Sequence, residues 1–337
     1  MDRTCDTHTE PKLILAPLQG FTDLSYRTVY ARHFSGIDEA VAPFLSALGK
    51  EGRINPKRLA GLDLAANRSI PVVPQILGND AENFLFLAGH LEKMGHTHVN
   101  WNLGCPHSRI VKKMRGAGLL PYPDRIDRFL DKVFSGTGCR VSVKVRLGRY
   151  DQGEIFPLLK VFERYPLKEI ILHPRTGSQV YTGRADVEAF LAVQESTGHK
   201  MVYNGDIISP ATFESIRKKM PGVTDFMIGR GVLADPFLPG RIKSGCLSSW
   251  RDEEASARKI HEFMTDLFEA YLAAPSKKPD PWKITCRMKG FWSYLEFSFA
   301  DGRVPFKKIL GADSPQTFRK AVAEFFSGGP RFRPPAC

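Results

Sequence analysis

No stretch of the 337-residue chain approaches the eighteen or so consecutive apolar residues that a membrane span needs. The longest candidates are broken by Pro and Ser, as in Val41-Ala-Pro-Phe-Leu-Ser46. Met1 to Lys12 is polar and has no hydrophobic run of the signal-peptide kind, so a cytoplasmic protein is expected. Cysteine is scarce and scattered. Cys5, Cys105, Cys139, Cys246, Cys286 and Cys337 lack the short paired spacing of a zinc site or disulfide framework, which argues for a reducing compartment and no metal. The Gly-x-Gly-x-x-Gly turn of a dinucleotide-binding sheet is missing too. The first strand candidate runs instead into Gln19-Gly-Phe-Thr-Asp23, a turn without room for a pyrophosphate.

What is present is charge of one sign. The formal net charge is +12, which favours a polyanionic partner, most simply a nucleic acid, or else a solvated surface. From Pro275 onward twelve Lys/Arg face five Asp/Glu, interleaved with Trp282, Phe291, Trp292, Tyr294, Phe297, Phe299 and Phe306. Such a tail could bind RNA, and Trp292, Tyr294 and Phe297 could equally be a helix core.

Apolar runs alternate with amphipathic stretches over the first two thirds. The strand candidates are 13–18, 39–43, 72–77, 98–103, 140–147, 169–173, 200–204 and 225–228. Helical patterns fall at 81–94, 125–133, 154–163, 186–195 and 210–220, the last opened by the cap pair Ser209-Pro210. Eight βα units in about 230 residues predict an α/β fold, a (β/α)8 TIM barrel. After Pro236 the alternation stops, and helices are predicted over 252–274, 282–297 and 315–326. The expected division is a catalytic barrel over 1–243 and an all-helical, basic domain over 244–337, in a monomer.

In such a barrel chemistry sits at the C-terminal ends of the strands. Five consecutive candidates end in polar residues: Gln75, Asn102, Lys144 with Arg146, His173 with Arg175, and Asn204. Lys144 lies on an otherwise apolar strand, so it should meet an anionic or electron-rich partner. Asn204-Gly205-Asp206 and Gly229-Arg230-Gly231 end strands seven and eight, where this fold usually binds phosphate. The loop after strand four presents Cys105 between Gly104 and Pro106, followed by Arg109, Lys112, Lys113 and Arg115 without an acid. Four cations beside a candidate site favour a polyanionic macromolecule.

Seven motifs occur in order: Ala16-Pro-Leu-Gln-Gly-Phe-Thr-Asp23, Gln75-Ile-Leu-Gly78, Asn102-Leu-Gly-Cys-Pro106 with Gly116-Ala-Gly118, Lys144-Val-Arg146, His173-Pro-Arg-Thr176, Asn204-Gly-Asp206 and Ile228-Gly-Arg-Gly231. Together, over about 13–243, they make the chain similar to the flavin-dependent tRNA-dihydrouridine synthases, and the tail resembles that family's helical tRNA-binding domain. The resemblance implies tightly bound FMN, NADPH as reductant and tRNA as substrate. Pro17, Leu18 and Gln19 would lie along the flavin ring, Gln75 and Lys144 would bond its polar edge, and His173 would border it. Asn204, Gly205, Asp206, Gly229 and Arg230 would hold the ribityl phosphate. Hydride would pass from flavin N5 to C6 of a uracil and a proton from Cys105 to C5. Asn102 and Arg146 would contact the uridine or its backbone. Arg109, Lys112, Lys113, Arg287 and Lys289 would meet tRNA. Leu18 replaces the family's common Met, and the 289–295 stretch is similar to a bacterial branch acting at position 16. The alternative is an FMN barrel acting on a small pyrimidine, of dihydroorotate or dihydropyrimidine type. It explains neither the basic loop nor the basic tail.

Overall fold

The computed structural model describes residues 10–46, 54, 56–245, 252–274, 280–300 and 303–334. Of the expectations above, Cys5, Cys246, Cys337 and the proline-rich 275–279 segment lie outside the described residues. Parallel strands β1 (Lys12–Leu15), β2 (Glu39–Val41), β3 (Val72–Val73), β4 (Gln75–Ile76), β5 (His98–Leu103), β6 (Arg140–Gly148), β7 (Ile170–Thr176), β8 (Met201–Tyr203) and β9 (Asp225–Ile228) form one sheet in the order β3-β2-β1-β9-β8-β7-β6-β5-β4. Its two ends are β3 and β4, adjacent in the chain and parted only by Pro74, which has no N–H to give a ladder. The predicted single strand 72–77 is therefore two short pieces. Val72 and Val73 pair with β2, and Gln75 and Ile76 pair with β5, so the sheet closes into an eight-stranded barrel.

Helices α1 (Leu24–His33), α2 (Pro56–Ala60), α3 (Ala81–Lys93), α4 (Ser108–Val111), α5 (Pro123–Gly136), α6 (Ile155–Phe162), α7 (Val187–Glu195), α8 (Pro210–Lys219), α9 (Arg230–Ala234) and α10 (Leu238–Lys243) follow the strands. Local chemistry sets their starts. Asp80 and Asp186 accept N–H bonds from Asn83 and Ala189, and Ser209 makes a capping box with Thr212 ahead of Pro210. Helix α1 was not foreseen. Its buried face carries Arg27, bonded to Thr22 O, Gly61 O and Asn67 Oδ1, and a charged residue on the inner stripe hides the apolar period.

The barrel interior is divided. Ile14, Ala16, Val41, Val73, Ile171, Val202 and Met227 form an apolar cluster on one side. On the other, Gln75, Asn100 and Ser142 share one register layer across β4, β5 and β6, with Asn102 and Lys144 in the layer above.

The C-terminal helices are α11 (Glu253–Ala273), α12 (Pro281–Leu295), α13 (Arg303–Gly311) and α14 (Pro315–Ser327), with a 3-10 turn at Glu296–Ser298. Three of the four match the predicted stretches, and α13 was missed. Trp292 is helix core, with Phe306, Phe325 and Phe326 around it. This unit grips the barrel at α1 and the β1 turn. Arg287 donates to Asp23 at 2.6 Å and to Gly20 O at 2.8 Å, His33 meets Asp266 at 2.8 Å, and the Tyr26 and Phe291 rings stack with centroids 5.5 Å apart. Gly290 lets α12 cross the turn closely, since a Cβ there would stand 3.1 Å from the Phe21 ring and the ring would have to shift. Among the described residues no helix is long and apolar enough to cross a membrane.

Candidate active site

A cavity of about 1270 Å³ opens at the C-terminal end of the barrel. That exceeds the roughly 300–1,000 Å³ of a pocket for one small ligand. Its walls include Pro17, Leu18 and Gln19 after β1, Asn102 and Cys105 after β5, Lys144 and Arg146 on β6, and His173 and Arg175 on β7. Asn204, Gly205, Asp206, Gly229 and Arg230 supply the β8–β9 side. The structure thus gathers Cys105 and all but one of the residues expected to hold cofactor at one mouth. The exception is Gln75, fully buried below the wall, where its amide donates to Asn100 Oδ1 at 2.8 Å and accepts from Asn102 at 2.7 Å.

The Cys105 loop is held from three sides. Asn102 Oδ1 accepts the N–H groups of Gly104 at 3.2 Å and Cys105 at 3.0 Å. Arg146 Nε donates to Gly104 O at 3.0 Å while its Nη1 donates to Thr176 O at 2.8 Å, tying the loop to β7. Gly116, at φ +55°, lies directly behind, and a Cβ there would stand 2.7 Å from Cys105 O. Burial pushes the Cys105 thiol up, against the opposing pull of the His107 amide and of the Arg146 and Lys144 charges. The sulfur is therefore a protonated thiol at neutral pH, set in the cavity wall.

Lys144 makes no hydrogen bond or ion pair among the described residues. Burial, with repulsion from Arg146, brings its ammonium down to about 7. His173 is held neutral, with its pKa far below the usual imidazole range, by burial and by the surrounding cations Arg146, Lys144, Arg175 and Arg230. Its Nε2 accepts from Arg175 Nη1 at 3.1 Å, which leaves Nδ1 to carry the proton. Arg175 is the hub of the β7–β8 side. It is almost fully buried and also donates to Thr182 O, Gly183 O and both oxygens of Asp206. Arg230 adds a bond to Asp206 Oδ1 at 3.1 Å. An ionised Asp206 has no proton to offer a phosphate, so what its carboxylate does is aim the two guanidinium groups.

The other cations expected to meet tRNA lie apart from the cavity wall. Arg109, Lys112 and Lys113 are exposed on α4 and the turn after it. Arg287 is tied to Asp23 and stacks on Tyr271 at 4.1 Å, and Lys289 bonds Ala312 O and lies over Trp282. Two further aromatics stand in the wall: Tyr181, which the sequence reading missed, and Phe297, which it offered as either an RNA contact or helix core. Tyr181, 44% exposed, carries Arg230 over its ring at 4.3 Å, and Phe297, 63% exposed, reaches the cavity from the 3-10 turn after α12. Both sit in short irregular segments, where no periodicity marks a side chain's direction.

Residues 14–277 match the family described as Dihydrouridine synthase (Dus). The chain belongs to the dihydrouridine synthase family. A relative named "Probable tRNA-dihydrouridine synthase" from Rhodobacter capsulatus is 29% identical over 267 residues, 78% of this chain and 81% of that protein. The "tRNA-dihydrouridine synthase B" of Vibrio vulnificus is 29% identical over 231 residues, 67% of this chain and 69% of its own. Among solved structures, 2-naphthoyl-CoA reductase in complex with 2-naphthoyl-CoA is 11% identical, with a TM-score of 0.53 over 69% of this chain and 50% of that one, a likeness of fold alone.

The walls of this dihydrouridine synthase fit a phosphorylated flavin. Lys144 is a half-buried donor on the cavity wall with no acceptor among the described residues. The Gly205, Asp206 and Gly229 amides make no hydrogen bond among the described residues and stand beside Arg230. A Cβ at Gly205 would come within 2.6 Å of the Ala185 side chain, so that backbone can be approached closely only as glycine.

Proposed function

We propose that the chain reduces a uridine of tRNA to 5,6-dihydrouridine, with FMN held between Lys144 and the β8–β9 amides and with NADPH as reductant. The observation that carries this reading is the shared cavity wall of Cys105 and Lys144, a protonated thiol beside a half-buried donor that has no partner among the described residues. Bound flavin supplies the hydride that C6 of the uracil receives. Cys105 gives its proton to C5 as general acid, and the thiolate left behind is stabilised by Arg146 and Lys144. Arg146 also fixes the loop that carries the thiol, and the neutral His173 offers a hydrogen bond without adding charge to a site already rich in cations.

The target base must leave the folded tRNA to reach this depth, at a cost of a few kcal/mol. Phe297 and Tyr181, both exposed in the wall of the mouth, suit the stacking of exposed bases, and Arg109, Lys112 and Lys113 suit the phosphates around them. The test is incubation of the purified protein with NADPH and unmodified tRNA, with nuclease digestion and mass mapping of dihydrouridine. A yellow protein that adds two mass units at a defined uridine and leaves free uracil untouched is the expected result. A colourless protein, or one that reduces only the free base, overturns the reading.

A further inference from the structure

A directed line of hydrogen bonds crosses the polar half of the barrel and ends on the Cys105 loop. From the N-terminal end, Lys168 Nζ meets His98 Nδ1 at 3.0 Å, and His98 Nε2 meets Ser142 Oγ at 2.8 Å. Asn100 Nδ2 donates to the same Ser142 oxygen at 2.8 Å, Gln75 Nε2 to Asn100 Oδ1 at 2.8 Å, and Asn102 Nδ2 to Gln75 Oε1 at 2.7 Å. Asn102 Oδ1 then receives the amides of Gly104 and Cys105.

The amides take their direction from the loop end, and the Ser142 oxygen receives hydrogens from both sides. Lys168 can only donate, so His98 Nδ1 accepts and its Nε2 carries the hydrogen that Ser142 receives. Burial and the Lys168 charge keep that ring neutral. At the other end two backbone N–H groups require an oxygen, so Asn102 cannot turn its amide over. If one of the three amides between these ends reversed, donor would face donor among buried side chains. Branched apolar side chains ordinarily fill the interior of this fold, and they do fill the other half here. An apolar layer at Gln75, Asn100 and Ser142 would serve packing alone. The amide line adds one fixed orientation of Asn102, and hence one placement of the Cys105 amide.

We infer that Asn100 and Ser142, below the cavity wall, are positioning residues that set the Cys105 thiol through Gln75 and Asn102. The importance of this for turnover rests on the acid role given to Cys105 above. The positioning itself can be read without turnover.

The full-length protein as purified is compared with Asn100→Leu, Ser142→Ala and Ser142→Thr. Alkylation of Cys105 by iodoacetamide is followed site by site with mass spectrometry, alongside kcat and KM for tRNA. Freed from its amide anchor, the Cys105 loop loosens. Asn100→Leu and Ser142→Ala are expected to alkylate at Cys105 at least threefold faster and to lose at least tenfold in kcat, with KM for tRNA within twofold. Ser142→Thr keeps the hydroxyl and is expected to restore both. Should Asn100→Leu fail to fold, the Ser142 pair, smaller in its change, carries the comparison. Unchanged Cys105 alkylation in folded Ser142→Ala, or equal loss in Ser142→Thr, overturns the inference. If no variant and no wild type forms dihydrouridine, the alkylation rates still decide the positioning while the functional reading fails by itself.

Discussion

Arg175 and Asp206 meet at 2.6 Å through Nη2 and Oδ2 and at 3.0 Å through Nη1 and Oδ1, and this bidentate pair locks the β7–β8 side of the mouth. Burial works to raise the Asp206 carboxyl, but the bonds from Arg175 and the Ala185 N–H outweigh it and leave the pKa lowered. Because Arg175 is 1% exposed, removing its partner strands a buried charge, which costs about 3–5 kcal/mol. Asp206→Asn is expected to lower the melting temperature by several degrees and to release bound flavin, both read on one thermal ramp by flavin fluorescence. A lowered carboxylate pKa contributes stability that is present above the unfolded value of about 3.9 and is lost as pH falls through the folded value.

Lys144 gives the opposite sign. The unfolded chain keeps the proton up to about 10.5, whereas the folded, ligand-free protein releases it near 7. Between those values the unfolded state binds more protons, so this residue makes the stability rise with pH. Lys144→Met removes that contribution. Relative to wild type, the stripped variant should gain at pH 7 and lose part of that advantage by pH 9 on the way to about 10.5, a change of about 2 °C or more in the difference between their melting temperatures.

Gly116 carries a prediction about the Cys105 loop. A methyl group there meets Cys105 O at 2.7 Å and also strains a backbone at φ +55°. Gly116→Ala should reduce kcat at least tenfold while flavin content, measured by absorbance, stays within twofold.

Cys105→Ala removes the acid itself. General acids of this kind are worth roughly 10²–10⁴-fold, and single-turnover formation of dihydrouridine should drop within that range. Reduction of bound flavin by NADPH should continue at the wild-type rate, as followed by loss of flavin absorbance.

Binding of tRNA should weaken steeply with salt, by tenfold or more between about 50 and 200 mM, since each phosphate contact releases counterions. Phe297→Ala should raise the Kd about fivefold or more from the loss of one stacking surface. A filter-binding titration at each salt concentration separates the two effects, because stacking leaves the salt slope unchanged.

Much of the barrel could be read from the chain because each βα unit signals itself locally. Apolar runs gave the strands, and the cap pair Ser209-Pro210 gave a helix start. Helix α1 and the break at Pro74 were not legible. A buried Arg27 takes its meaning from Asn67, forty residues away, and a proline between two short strands is harmless only because the barrel closes there. The polar strand ends were visible as a pattern, yet their individual roles were not. Gln75, expected at the polar edge of the flavin, is also a member of the interior amide line.

The sequence by itself determined the fold class, the family and the set of residues gathered at the mouth, because those depend on periodicity and on motifs within single segments. Only the tertiary structure decided which donors remain free and which are already taken. Lys144 lacks a partner among the described residues and Asp206 has three because segments far apart in the chain are brought within hydrogen-bond reach. The same closure runs the interior polar line to Cys105, since its amides take their orientation from two loop N–H groups and end on the Ser142 oxygen.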